Sequence, residues 1–218
     1  MPPIHAVLFD FGLVLSGPPD PVARGRMESI LNATHPELQA AYWRYRDDYD
    51  LGVLSGVSFW RKVGADLAYP LSDEELRQLL EADVDLWTQP NQPMIDWAAA
   101  LQSAGTSTGI LSNMGDLMEI GISARFPWLA GFAHSTFSHR LGIAKPDERI
   151  YRHALASLGE SADKVVFIDD RIENVRAARA LGIHSIQYTS HDDFVHEFRN
   201  GNFTGLPLPT ATIPSRTS

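Results

Sequence analysis

The chain has 218 residues, 44% of them apolar and 21% charged, with no cysteine and a net charge of −9 at pH 7. That is enough for one good core, or a core with a smaller inserted unit. The missing cysteine excludes disulfides and thiolate metal sites, and an acidic balance without a basic cluster gives no electrostatic case for nucleic acid or an anionic membrane.

The N-terminus, MPPIHAVLFDFG, lacks the basic region and long apolar run of a signal peptide. No stretch approaches the roughly 18 apolar residues of a spanning helix, so a cytoplasmic location is expected. Ile4–Phe9 is a short apolar run that stops at Asp10 and a glycine loop, the pattern of a buried strand entering a site. Gly17 to Pro21 breaks it. From Val22 to Trp87 the pattern is helical, charged and rich in aromatics (Tyr42, Trp43, Tyr45, Tyr49, Phe59, Trp60), with Ser72 and Glu75 spaced as a helix-start capping box. At helical spacing these aromatics are expected to pack helices rather than cage a ligand.

After a break at Asn91–Pro93 the chain alternates. Helices are predicted over 94–104, 117–126, 147–158, 172–181 and 191–198, and strands over 107–111, 132–137, 165–168 and 183–188. Continuous apolar strands between helices imply a parallel sheet covered on both faces. The expected fold is α/β, a Rossmann-like doubly wound sheet with a small helical unit inserted after the first strand. The expected division is 1–16 and 91–203 for the sheet domain and 17–90 for the helical insert. The Thr- and Pro-rich segment 204–218 is expected to be a mobile tail.

Polar residues collect at strand ends, where open parallel sheets bind ligands. They are Asp10, Ser112 with Asn113, the loop holding Lys145, and Asp169 with Asp170. One Asp after a strand is most often a helix cap or turn former. Four such positions in order are harder to assign to capping. Two adjacent carboxylates at Asp169 and Asp170 are costly unless positive charge lies near them.

These pieces resemble the four motifs of the haloacid dehalogenase-like superfamily: LFDFGLVL, GILSN, KPDERIY and FIDDRIENVRAARALGI. The insert is similar to its small helical cap; Tyr45-Arg46-Asp47 and the stretch from Gly52 to Trp60 resemble the cap of sugar-phosphate phosphatases and of the phosphatase domain of soluble epoxide hydrolase. The resemblance implies a Mg²⁺-dependent phosphatase acting on a small phosphorylated molecule. It implies Asp10 as nucleophile, Lys145 as charge partner, and Ser112 with backbone amides near Asn113 as phosphate-binding groups. It implies Asp10, the Gly12 carbonyl and Asp170 as metal ligands. Asp169 is expected to support the metal directly or through water, and Asn174 to bond the Asp170 carboxylate or Lys145.

The chain departs from the family pattern at Gly12, where phosphatases usually carry a second Asp as general acid and base. A glycine cannot protonate a leaving group, so that proton must come from water or the cap, or must matter little. Leu13 stands where glycine or asparagine is usual and makes the loop bulkier. Arg140, just before LGIAKP, is expected to be a solvated surface residue rather than a substrate contact. Two other functions share the fold. A 2-haloacid dehalogenase usually has an aromatic residue at the Gly12 position and Ser-Asn in place of Asp169-Asp170, and this chain has neither. A non-catalytic binding protein finds its only support in Gly12 and Leu13.

Overall fold

Apolar runs build the centre of the molecule. In the computed structural model, which describes residues 3–201 and 203–210, they form β1 (Ala6–Phe9), β2 (Ser107–Ser112), β3 (His134–Phe137), β4 (Val165–Asp169) and β5 (His184–Gln187). All neighbours pair in parallel, in the order β3-β2-β1-β4-β5. The helices are α1 (Pro21–Leu31), α2 (His35–Asp50), α3 (Gly56–Asp66), α4 (Asp73–Leu86), α5 (Gln92–Ser103), α6 (Asp116–Arg125), α7 (Ser138–Leu141), α8 (Glu148–Leu158), α9 (Ile172–Ala180) and α10 (His191–Asn200).

Side chains alternate across each strand, and both faces are apolar. Val7, Phe9, Ile110, Val166 and Ile168 pack with Trp97 of α5 and with Phe194 and Phe198 of α10. Ala6, Leu8, Leu111, Val165 and Phe167 pack with Ile150, Tyr151 and Ala154 of α8 and Ala178 of α9. Burying each large side chain contributes roughly 1.5–3 kcal/mol, so these runs are stable only with helices on both sides. This is the α/β doubly wound arrangement expected from the sequence.

Helices α1 to α4 have a core of their own, in which Met27, Leu31, Tyr42, Tyr49, Phe59, Trp60 and Leu79 are buried. The Tyr49 and Phe59 rings stack at 4.8 Å, and Tyr42 meets Phe59 edge-on at 5.2 Å. Both bonds of the Ser72–Glu75 capping box are present. The bundle is fastened to the sheet domain by close contacts. The Tyr49 ring lies so near Gly115 that a Cβ there would come within 2.0 Å of it. The Met118 N–H donates to the Tyr49 hydroxyl at 3.2 Å. The Gly56 N–H donates to Asp116 Oδ1 at 2.9 Å. Asp116 is half-buried and ties the bundle down.

The segment expected as a mobile tail is docked over its first part. Leu206 is buried, the Pro207 carbonyl accepts the Trp97 indole N–H at 2.9 Å, and the Thr210 carbonyl lies 2.7 Å from His191 Nε2. An indole N–H at the core edge needs an acceptor, and the chain after α10 supplies it. Residues 211–218 lie outside the described residues.

The strand order reverses beside β1. The chain moves from β1 to β2 and β3 on one side, then to β4 and β5 on the other. The carboxyl ends of β1, β2 and β4 therefore border one crevice, the position at which such sheets bind ligands.

Candidate active site

Two adjacent strands deliver the carboxylates. Asp10 directly follows β1, Asp169 ends β4, and Asp170 is the next residue. Asp10, Asp169 and Asp170 each offer an oxygen, and these oxygens lie within 4.8 Å of one another. Lys145 comes in from the loop before α8. Its Nζ is 3.0 Å from Asp10 Oδ1, 2.6 Å from Asp169 Oδ2 and 2.8 Å from the Leu111 carbonyl, to which it donates. Lys145 is only 5% exposed and Asp169 is fully buried.

Asp10 uses its two oxygens differently. Oδ1 accepts from the Phe11 N–H and the Ser112 hydroxyl, both at 2.7 Å, and faces Lys145. Oδ2 has no hydrogen-bond partner among the described residues. One oxygen is thus anchored and the other left for chemistry. Asp169 is saturated: Oδ1 accepts from the Arg171 N–H at 2.9 Å and Asn174 Nδ2 at 2.9 Å, and Oδ2 is held by Lys145.

Asn174 thus bonds Asp169, not Asp170 or Lys145 as the sequence suggested. The first turn of α9 turns it back under β4 toward the buried acid, while Asp170 faces the cavity. The Asn113 side chain is also committed. Its Oδ1 accepts the Lys145 N–H at 2.9 Å, and its Nδ2 donates to the Lys145 carbonyl at 3.0 Å. It clamps the lysine loop, so any phosphate contact at Asn113 falls to its backbone.

The loop after Asp10 turns at Leu13 and not at Gly12. Gly12 sits at φ −63°, which any residue adopts, and a Cβ there would meet nothing within 4 Å. Leu13 carries the left-handed turn instead, at φ 58°, a conformation costing a non-glycine residue roughly 1–2 kcal/mol. The turn is closed by the Ser16 N–H on the Phe11 carbonyl at 2.8 Å.

Burial dominates the acid–base state. It pushes the Asp10 carboxyl up to about 7, against Lys145 and with help from Asp169 and Asp170. It pushes Asp170 up to about 6, with Asp169 adding to the effect. Burial alone would lower the Lys145 ammonium, but Asp10 and Asp169 outweigh it and hold lysine charged.

These groups open into a cavity of about 500 Å³ between the sheet edge and the helical bundle. The bundle contributes Trp43, Arg46, Asp47 and Asp50 from α2, with Trp87 beyond α4. The sequence did not single out Arg46 or Asp50 as site residues; nothing in a sequence distinguishes charges near the end of an amphipathic helix from a solvated face. Arg140 is on the surface, with Nε donating to Glu119 Oε2 at 2.9 Å, and does not line the cavity.

Hard carboxylate oxygens that repel one another at close range fit an oxygen-loving divalent cation. Asp10 Oδ2 and Asp170 are the side-chain groups not already engaged, and Gly12 lines the same cavity.

Residues 23–182 match the haloacid dehalogenase-like hydrolase family. Bifunctional epoxide hydrolase 2 of Rattus norvegicus is 30% identical over 128 residues, covering 57% of this chain and 23% of its own length. The chain spans a quarter or less of the length of the curated relatives it matches. A HAD family enzyme from Bacteroides thetaiotaomicron aligns with a TM-score of 0.77 at 20% identity, covering 90% of this chain and 99% of that one. The same enzyme has been solved in complex with magnesium and inorganic phosphate. L-2-haloacid dehalogenase from Xanthobacter autotrophicus aligns with a TM-score of 0.63 at 18% identity, covering 92% of this chain and 84% of that one. At such identities the structural likeness shows the fold and leaves the reaction to the site.

Proposed function

The chain belongs to the haloacid dehalogenase-like hydrolases, and within that family we propose that it is a Mg²⁺-dependent phosphatase that hydrolyses a small phosphomonoester through a phosphoenzyme on Asp10. The observation that supports this most is the asymmetry of Asp10: one oxygen anchored by Phe11, Ser112 and Lys145, the other unengaged beside the unengaged Asp170. In this reading residues 1–16 and 91–203 are the catalytic core and 17–90 the cap.

Asp10 Oδ2 attacks phosphorus and the ester oxygen departs; water then releases phosphate from Asp10. Lys145 holds positive charge against Asp10 and the transferring group. The Ser112 hydroxyl rotates from Asp10 to a phosphate oxygen, joined by backbone amides at Asn113. Asp169 and Asn174 keep Lys145 in place. Asp10, Asp170 and the Gly12 carbonyl would hold Mg²⁺, which supplies charge neutralisation for the phosphoryl group.

The dehalogenase reading shares the nucleophile and the fold. It is disfavoured by Asp169 and Asp170, since a reaction without metal has no use for a second acid facing the cavity. The deciding experiment is hydrolysis of an activated aryl phosphate with and without Mg²⁺, beside chloride release from a 2-chloroacid. Metal-dependent phosphate release is expected. Chloride release without metal would replace this reading with the dehalogenase, and activity in neither assay would leave a binding protein.

Metal binding carries a pH signature. The folded pKa values of Asp10 and Asp170, about 7 and about 6, lie above the ordinary 3.8. The ion-free protein therefore binds more protons folded than unfolded and loses stability as pH rises through that range. A cation must displace those protons. Mg²⁺ is expected to raise the melting temperature clearly at about pH 8 and hardly at about pH 5.5. Asp170→Asn is expected to lose the effect at both. An equal rise at the two pH values would place the ion elsewhere.

A further inference from the structure

Gly12 leaves the proton for the departing oxygen without an owner. Four carboxyl groups line the cavity: Asp10, Asp47, Asp50 and Asp170. Asp10 and Asp170 are nucleophile and metal ligand in the reading above. Asp47 is exposed, whereas Asp50, the last residue of α2, is partly buried with its side chain 14% exposed. Building on the phosphatase reading, we propose that Asp50 is the acid–base residue of this site, delivered from the cap in place of a side chain at Gly12.

The step balances in two halves. The Asp10 Oδ2–phosphorus bond forms as the phosphorus–ester oxygen bond breaks; the electron pair goes to that oxygen, which takes the Asp50 proton. Water then forms a bond to phosphorus, the electron pair of the broken bond returns to Asp10, and the proton of the water goes back to Asp50. One water is consumed, and alcohol and phosphate are released.

Position is the first support. Asp50 belongs to the cap but is pinned to the sheet domain. Its carbonyl accepts from the Ser138 hydroxyl, which also accepts the Met114 N–H at 3.0 Å. Two residues on, Gly52 holds φ 73° and packs so closely that a Cβ would lie 2.6 Å from the His139 carbonyl oxygen. These contacts hold the end of α2 over the residues that follow β2 and β3, beside Ser112 and Asn113. Lys145 is near enough to act on the Asp50 charge.

Orientation is the second. Asp50 Oδ1 accepts from Arg46 Nε at 2.8 Å, and Oδ2 has no hydrogen-bond partner among the described residues. The guanidinium is itself fixed, 5.4 Å from the Tyr42 ring, 5.6 Å from Trp87, 5.8 Å from Tyr49 and 5.9 Å from Trp43. The aromatics read as helix packing thus also hold one cation, and the cation aims one carboxyl.

Charge balance is the third. Arg46 serves two carboxyls. Asp50 lies on one side; Asp83 lies on the other, joined through the Tyr42 hydroxyl, which donates to Asp83 Oδ1 at 2.8 Å. One cation cannot neutralise two buried carboxylates, so the cluster retains a proton readily. Burial raises the Asp50 carboxyl against the pull of Arg46, with Asp47 adding and Lys145 opposing, and raises Asp83 to about 6.

The test is Asp50→Asn, which keeps an acceptor for Arg46. Parent and variant are assayed with Mg²⁺ on aryl phosphates of graded leaving-group acidity and on a simple alkyl phosphate. The parent is expected to show a shallow leaving-group dependence. In the variant, the rate of phosphoenzyme formation from the best aryl phosphate should stay within a few-fold of parent. The alkyl phosphate should fall by about 10²–10⁴-fold, the usual worth of a general acid, and phosphoenzyme should accumulate because its hydrolysis also slows. Gly12→Asp in the Asp50→Asn background should recover alkyl phosphate turnover, since the backbone there accepts a side chain and the space is open. A loss of equal factor across the series would mean that Asp50 only holds the fold, and no loss would remove it from the reaction; either overturns the proposal. A parent with no Mg²⁺-dependent turnover and no phosphoenzyme overturns the phosphatase reading and this inference with it.

Discussion

Asp10→Asn is expected to lower turnover by on the order of 10⁴-fold or more and to abolish phosphoenzyme trapping, while leaving the protein at least as stable as the parent when metal is absent. The first half follows from Oδ2 being the unengaged oxygen beside Lys145 and Asp170. The second follows from the raised pKa. Burial lifts the Asp10 carboxyl from 3.8 to about 7, so at about pH 8 its charge works against folding. An amide oxygen can still accept from the Phe11 N–H and the Ser112 hydroxyl at 2.7 Å, and Lys145 keeps Asp169 and the Leu111 carbonyl. Thermal denaturation of both proteins without metal, beside acid-quench trapping with labelled substrate, measures both halves. Substantial residual phosphoenzyme would move the nucleophile elsewhere. A marked fall in melting temperature would mean that the charge on Asp10 holds the site together.

The sheet was legible because its strands are buried on both faces, so each reads as an unbroken apolar run ending in a polar residue. Asp10, Ser112, Lys145 and Asp169 could be placed together because each follows or ends a strand, or sits in the loop after one. What did not show was pairing across the molecule. Asn174 is four residues after Asp170, and helical spacing pointed it there; its bond to Asp169 depends on how β4 turns into α9. Leu13 gave no sign of carrying the left-handed turn beside a glycine that does not need one. Asp50 and Arg46 stand four residues apart on a charged helix, a spacing common to surface ion pairs and therefore no signal of a site. Only the docking of Tyr49 and Gly52 on the sheet domain turns that pair toward the site.

Lys145→Met should have the largest effect on stability of any change at the site. The lysine links two carboxylates that have almost no contact with water, at 3.0 Å and 2.6 Å. Such a bridge contributes little net stability when intact, because desolvation offsets the attraction, but removing one partner leaves the others charged and buried, at a cost of about 3–5 kcal/mol. For a chain of this length that is a fall in melting temperature of roughly 10 °C. The sign of the pH dependence identifies the cause. Without the ammonium, the Asp10 carboxyl rises further above its unfolded value, so the variant recovers toward the parent as pH falls toward about 7, the value Asp10 already has with Lys145 beside it. A packing defect would be independent of pH, and methionine is close to lysine in length. Adding Asp169→Asn removes one stranded charge and should restore part of the stability at about pH 8 without restoring turnover, because the lysine that faces the transferring group is still missing. Melting curves of the single and double variants at about pH 5.5 and about pH 8 decide it. A deficit of the same size at both pH values would assign Lys145 to packing and remove it from the charge balance on which the site depends.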